Sequence, residues 1–393
     1  MSKTTKKLFS VFLILSLLFS TACSSGTNSV EVPSNTYTVA EIQKYGNLIL
    51  SVSGTDFLKN YTYGDIISAE INGSIYDMPV GSSYSDVDDG EKICRIAIDE
   101  EENANHVILA INMGDLATET GIAFKTETEE EPGFRWDYNE GIETPVEVII
   151  SMKTQGGYYD EYVMRQLERS NEREDYAHLD DAAFANFRPI TTTGMGEGKL
   201  YRSSSPVNPE IGRNNYADAA VEASGIRTII NLADTEDGMK AYEGFADTYY
   251  SGCNSIGLNL GVDFNAEDFQ TGLAEGLRFL AAEKDGPYLI HCNEGKDRAG
   301  FVSALLECLM GASAEEVVAD YMTTYYNYYG VETESIQYII IAESNIEKSL
   351  ASAFDIEDIR GDGVDLAAEA ECYMTEKLGL TAEEIASIKA NLT

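Results

Sequence analysis

Cys292 and Arg298 stand six positions apart in the stretch YLIHCNEGKDRAGFV (288–302). Asn293, Glu294, Gly295, Lys296 and Asp297 lie between them, and Ala299 and Gly300 follow. Apolar residues run up to His291 and resume after Gly300, which predicts a strand, a short loop and a helix. A loop that feeds a helix N-terminus can turn its backbone N–H groups toward one point. That nest and the helix dipole favour a phosphate-sized anion. The same field stabilises a thiolate at the loop's start, taking a cysteine pKa from about 8.5 into the range of roughly 3.5–7.5. Arg298 can return over the loop and hold two oxygens of the anion, and Lys296 adds positive charge. A thiolate so placed attacks phosphorus in line and forms a phosphocysteine, while the cradle stabilises the charge that develops. The competing reading, a plain core cysteine, leaves the combination of His291, Gly295 and Arg298 unexplained.

HCNEGKDRAG (291–300) resembles the HCx5R signature of the cysteine-dependent protein tyrosine phosphatase superfamily. It is most similar to the bacterial branch whose loop reads HCxAGKDRTG. KLYRSSSP (199–206), GIRTIINLADTED (225–237) and EKLGLTAEEIASIKANL (376–392) resemble that branch's flanking elements. The resemblance covers about 185–393 and says nothing of 38–153. It implies a phosphatase that needs no cofactor or metal. Phosphotyrosine in proteins is the first substrate class, with phosphoinositides or inositol phosphates as the alternative. It also implies a general acid for the leaving oxygen. Asp263, 29 residues before Cys292, is favoured because a separate loop can protonate from the side opposite the nucleophile. Asp297, inside the loop, is its rival, and Asp268 reads as a helix cap. Asn293, Glu294, Gly295, Lys296, Ala299 and Gly300 are expected to line the substrate. Arg202 either contacts the substrate or caps a strand.

Two residues depart from the branch. Ala299 replaces a Thr or Ser whose hydroxyl helps the sulfur leave, with Ser303 one turn on as a substitute. A phosphate-recognising surface protein with weak catalysis is therefore a second class of function, and a sulfur- or arsenate-handling enzyme a third. Glu294 replaces an alanine, which places a carboxylate at the rim and disfavours highly phosphorylated substrates.

The elements around the loop follow from periodicity. NLILSV, IISAEI, KICRIAID, HVILAINM and VEVIISM are short Val/Ile-rich runs separated by Gly, Asn and Asp, predicting a small antiparallel barrel or sandwich. The acidic block 126–140 reads as a solvated loop. Residues 159–176 read as one amphipathic linking helix. From about 185, strands at 225–233, 256–260 and 287–291 alternate with helices over 265–284 and 299–311. This predicts an α/β sheet, parallel or mixed, with helices on its faces. Asn265 with Asp268 resembles a capping box, and TAEEIASIKANL opens with another.

With 393 residues, 44% of them hydrophobic, the chain is long enough for two cored domains. A net charge of −40 repels nucleic acid and anionic membranes, so any bound anion needs a local device. Three histidines and six cysteines show no zinc spacing, and DVDDGE (86–91) and DIRGDGVDLAAE (358–369) miss the EF-hand pattern. Cys253, Cys308 and Cys372 read as core residues. Lys3, Lys6 and Lys7 precede an apolar run (8–19) and small residues before Cys23, the pattern of a bacterial lipoprotein lipidated at that cysteine. The expected organisation is a signal peptide (1–22), a flexible tether (23–37), a β-rich accessory domain (38–155), a helical linker (156–184) and a tyrosine-phosphatase-like catalytic domain (185–393). The mature chain is expected outside the cytoplasm, held to the outer face of the cell membrane by its lipid only, or secreted.

Overall fold

Ile66–Ile71 and Glu147–Thr154 in the N-terminal half alternate buried and more exposed residues, while Thr228–Asn231 and Tyr288–His291 in the C-terminal half are buried throughout. The first pattern suits a sheet with one wet face and the second a sheet covered on both faces. The computed structural model describes residues 34–99, 104–129 and 131–393, so the expected signal peptide and Cys23 lie outside the described residues. No helix among the described residues is long and apolar enough to cross a membrane.

The N-terminal strands are β1 Ser34–Ile42, β2 Leu48–Leu50, β3 Ile66–Ile71, β4 Ser74–Gly81, β5 Lys92–Asp99, β6 Ala104–Ile111, β7 Ala123–Glu127, β8 Phe134–Tyr138 and β9 Glu147–Thr154. Seven of them close a barrel in the order β1-β2-β6-β5-β4-β3-β9. Closure runs through β1 and β9, with Ser34 opposite Ser151 and Thr38 opposite Glu147. It removes the exposed edges that an open sheet of this size would carry. Leu48, Ile67, Ile71, Val80, Leu109, Val148 and Ile150 fill the interior. Residues 34–37, expected in the tether, thus belong to β1.

The acidic block 126–140 is not a free loop. β7 and β8 form a hairpin, with Thr126 opposite Arg135. Trp136 packs against the barrel core and donates its indole N–H to Gln43 O at 3.0 Å, which gives the acidic hairpin an apolar anchor.

The second sheet comprises β10 Arg188–Pro189, β11 Leu200–Ser203, β12 Thr228–Asn231, β13 Asn254–Gly257 and β14 Tyr288–His291. Its order is β10-β11-β14-β12-β13. All neighbours are parallel except β10 and β11. β14 is central, and His291 at its end lies opposite Ser203 on one side and Asn231 on the other. The carboxyl ends of three parallel strands therefore meet at one crevice, the usual ligand position of an open α/β sheet. Helix Asp297–Met310 leaves that crevice and is buried from Ala299 to Leu309. Helices Glu267–Ala282 and Ala314–Tyr329 share its core.

The linker differs from expectation. Helix Tyr159–Arg165 stops after seven residues, and only a short 3-10 turn, Arg173–Tyr176, follows. Tertiary partners displace the helical ones: Gln166 Nε2 donates to Asp86 Oδ1 at 2.9 Å, and Arg169 pairs with Glu294 at 2.7 Å. The predicted Asn265 cap is also absent. Helix Glu267–Ala282 starts after Ala266, and Asn265 Nδ2 donates instead to Ser352 Oγ at 3.1 Å. Thr381 and Glu384 do form their capping box. Cys308 is buried as expected, Cys253 is partly so, and Cys372 is exposed on the surface.

Candidate active site

Strand β14 delivers Cys292 to the crevice, where the residue is 3% exposed. His291 beside it is fully buried, with Nε2 3.1 Å from Tyr250 Oη and Nδ1 3.4 Å from Cys292 O. Burial pushes its pKa down to about 4, so the ring is neutral near pH 7 and braces the loop. Gly295 turns the loop at φ +68°, and a Cβ there would lie 2.2 Å from Ser203 O. Only glycine meets both demands.

The loop's carbonyls are all drawn to one side. Asn293 O accepts from Ser205 N at 3.0 Å. Glu294 O accepts from Tyr328 Oη at 2.8 Å and Asn186 Nδ2 at 3.1 Å. Gly295 O accepts from Arg202 Nη2 at 2.8 Å, and Lys296 O accepts from the same nitrogen at 3.3 Å. In a trans peptide the C=O of one residue and the N–H of the next point in opposite directions. The N–H groups of Glu294, Gly295, Lys296 and Asp297 are therefore turned away from the floor of the loop. The first-turn N–H groups of helix Asp297–Met310 add to them, since helix geometry leaves these open. The result is a row of unshared donors starting beside Cys292, a cradle for an oxyanion.

Arg298 Nη1 donates to Leu260 O at 3.0 Å and to Leu232 O at 3.5 Å. This fixes the guanidinium between the end of β12 and the segment leading to Asp263. Asp263 itself is exposed, and its Oδ1 accepts from Asn265 N at 3.1 Å. Asp268 is exposed in the first turn of its helix, where Oδ1 accepts its neighbour Phe269 N at 2.8 Å. Asp297 is 48% exposed, 3.9 Å from Lys296 Nζ. Partial burial pushes its carboxyl above the ordinary range despite the pull of Lys296.

Arg202 has no exposed surface. It is wholly buried beneath the loop, where Nη1 meets Asp320 Oδ2 at 2.5 Å. Its role is to hold the carbonyls of Gly295 and Lys296. Arg188 binds the same carboxylate at 2.8 Å. Burial opposes the charge on Asp320, yet the two arginines keep it below its ordinary range. Glu307, one face of helix Asp297–Met310 away, is fully buried with both oxygens unpartnered, and burial first and Asp320 second push it well up.

Glu294 is not a lone charge at the rim. Its carboxylate lies 2.7 Å from Arg169 Nη2 and 3.3 Å from Lys296 Nζ. Burial works against its ionisation, but Lys296 and Arg169 hold it below the ordinary range. Ala299 is buried in the core, and Ser303 is buried with its hydroxyl unpartnered. Asn186, Tyr328, Asp320 and Arg169 are the parts that sequence reading missed. Tyr328 alone had a local signal, the tyrosine-rich run 321–330.

A separate cleft of about 740 Å³ lies on the barrel, lined by Lys44, Tyr45, Asn47, Tyr84, Asp115 and Lys125 among others. Asn47 is 7% exposed, and its Oδ1 has no hydrogen-bond partner.

Residues 262–393 match a family described as the tyrosine phosphatase family, and residues 37–129 match the SAM hydroxide adenosyltransferase C-terminal domain. A search of curated proteins finds no match. Among solved structures, P. aeruginosa TpbA in complex with pTyr is 14% identical, covering 50% of this chain and 93% of that one at a TM-score of 0.29. The core catalytic domain of the PP-IP phosphatase SIW14 from S. cerevisiae is 20% identical, covering 43% and 93% at 0.27. An uncharacterized conserved protein from Thermotoga maritima is 18% identical at 0.22, covering 29% of this chain and 35% of that one, so the chain spans about a third of that protein's length. The family match runs through the Cys292 loop at the carboxyl end of the parallel sheet, so this C-terminal part of the chain is similar to the tyrosine phosphatase family.

Proposed function

We propose that the protein hydrolyses phosphomonoesters through a phosphocysteine on Cys292, with protein phosphotyrosine as its substrate class. The carrying observation is the set of four consecutive carbonyls drawn to the floor, which turns the following N–H groups toward a bound oxyanion. In the first step the Cys292 thiolate attacks phosphorus and the P–O bond to the leaving group breaks. The cradle and Arg298 stabilise the equatorial oxygens. A carboxyl protonates the departing oxygen. In the second step water attacks phosphorus, the S–P bond breaks and phosphate leaves. Asp263 is the proposed acid, on a loop tied to Arg298 through Leu260 O. Asp297 is the rival, because its raised pKa favours the protonated form. The pH profiles of Asp263→Asn and Asp297→Asn separate them: the true acid's variant loses the alkaline limb of kcat. Cys292→Ser is expected to abolish phosphate release from p-nitrophenyl phosphate, and full activity in that variant would overturn the mechanism.

The buried Ala299 supports a slow second step, the observation that favours a phosphate-recognising protein with weak turnover. A burst of nitrophenol followed by a slow steady state would support that reading, and Ala299→Thr would then raise the steady rate. Inositol phosphates are the alternative substrates, to be compared with phosphotyrosine peptides in the same phosphate-release assay. The N-terminal sequence supports attachment outside the cell through Cys23, tested by labelling with a fatty acid in wild type and Cys23→Ala. The barrel reads as a recognition module. Its match to an adenosyltransferase's C-terminal domain and the unpartnered Asn47 favour an adenosyl-type ligand in the cleft, tested by calorimetry with S-adenosylmethionine and Asn47→Ala. The match concerns that domain alone, and no transferase activity is proposed.

A further inference from the structure

We propose that Glu294 fills a second anion subsite built by Arg169 and Lys296, and thereby restricts the loop to substrates with a single phosphoryl group. This rests on the phosphatase reading above. The carboxylate lies between the two cations, 2.7 Å from Arg169 Nη2 and 3.3 Å from Lys296 Nζ. Both cations are backed by aromatic rings. Arg169 lies 5.2 Å from the Tyr328 ring, and Lys296 lies 5.9 and 5.7 Å from those of Tyr325 and Tyr329. Such backing holds a cation in place while leaving its donors free.

A guanidinium and an ammonium converging on one oxyanion suit a phosphoryl group as well as a carboxylate. Arg169 Nη1 is buried without a partner, one donor more than the carboxylate takes. A third phosphoryl oxygen would use it. The three side chains are 18–25% exposed, so the site opens to solvent. Glu294 and Lys296 flank Gly295, which places this subsite directly beside the cradle. Arg169 comes from the linker, so the subsite needs the chain outside the loop. Asp297, 3.9 Å from Lys296 Nζ, joins the balance: two cations face two carboxylates and the local charge cancels. Removing the charge of Glu294 leaves one net positive charge next to the primary phosphate site. The ligand class that gains is one with two adjacent phosphoryl groups, either a pyrophosphate or a vicinal bisphosphate.

The test uses calorimetry on the full chain in a Cys292→Ser background, with inorganic phosphate and pyrophosphate as probes. Glu294→Gln, which keeps the shape, is expected to tighten pyrophosphate about tenfold and phosphate much less, given the strength of one unit charge at this range. Adding Arg169→Ala is expected to remove the gain. An equal change for both probes overturns the proposal, as does a gain that survives Arg169→Ala or an absence of pyrophosphate binding to Glu294→Gln. Melting curves of each variant check that it folds. In the active background, Glu294→Gln should raise kcat/KM for a vicinal bisphosphate relative to p-nitrophenyl phosphate. Hydrolysis of p-nitrophenyl phosphate by the wild type reads the phosphatase assignment separately. Its failure would remove that assignment and leave the binding result standing.

Discussion

The floor and the rim of the anion loop are each held by an arginine–carboxylate pair, and the two pairs sit in different surroundings. Arg202 and Asp320 beneath the loop are 0% and 10% exposed, whereas Arg169 and Glu294 at its edge are 23% and 25% exposed. A buried pair is costly to break, because the partner left behind is a charge without water. A half-exposed pair can exchange partners at little cost. The floor pair therefore sets the shape of the cradle, and the rim pair sets what enters it.

The sharpest way to break this contrast is Arg202→Ala. It takes one of the two arginines from buried Asp320 and frees the carbonyls of Gly295 and Lys296, with an expected loss of about 3 kcal/mol in urea unfolding. Phosphate release should disappear with it. The triple change Arg188→Met, Arg202→Met and Asp320→Leu sharpens the point: it removes both arginines with the carboxylate they share, so it should recover stability without recovering activity.

His291 gives an effect of similar size through pH. Its pKa is lowered from 6.5 to about 4 in the folded chain, so the unfolded chain binds the proton more readily. The associated stability is present above pH 6.5 and is lost as pH falls toward 4, amounting to about 3 kcal/mol. Urea midpoints across that window should fall in the wild type and stay flatter in His291→Gln. Gly295→Ala comes next, at about 2 kcal/mol for a strained left-handed residue, with a larger effect on kcat because Ser203 O blocks the new methyl group. Arg169→Ala is the smallest, at under about 1 kcal/mol in a thermal melt, and should alter ligand preference more than stability.

What could be read in the sequence was what is local. The strand, the glycine turn and the helix around Cys292 occupy one stretch, and their residue types dictate their conformation. The barrel strands announced themselves by alternation, although closure into a barrel depends on β1 meeting β9 across more than a hundred residues. Arg202 shows the limit. Its type left a substrate contact and a strand cap open, but depth is a tertiary property, and Asp320 and the loop carbonyls enclose it. Asn186 and Tyr328 bind Glu294 O from 108 and 34 positions away, so no spacing rule could find them. The linker misled for a related reason. Its charges suggested helical i,i+4 pairs; Arg165 keeps one with Glu161, but Arg165, Arg169 and Arg173 also reach Asp88, Glu294 and Asp181 outside it.

That linker has a mechanical consequence. Tyr162 stacks on Tyr63 of the barrel half with ring centroids 5.3 Å apart, and Arg165 holds Asp88 at 2.9 Å. Four residues later Arg169 holds Glu294 in the anion loop. The segment is a short strut with one end bolted to each half. A sideways load on the barrel reaches the loop through only a few bonds, and the ion pairs at the two ends are the joints that must slip before the halves can part.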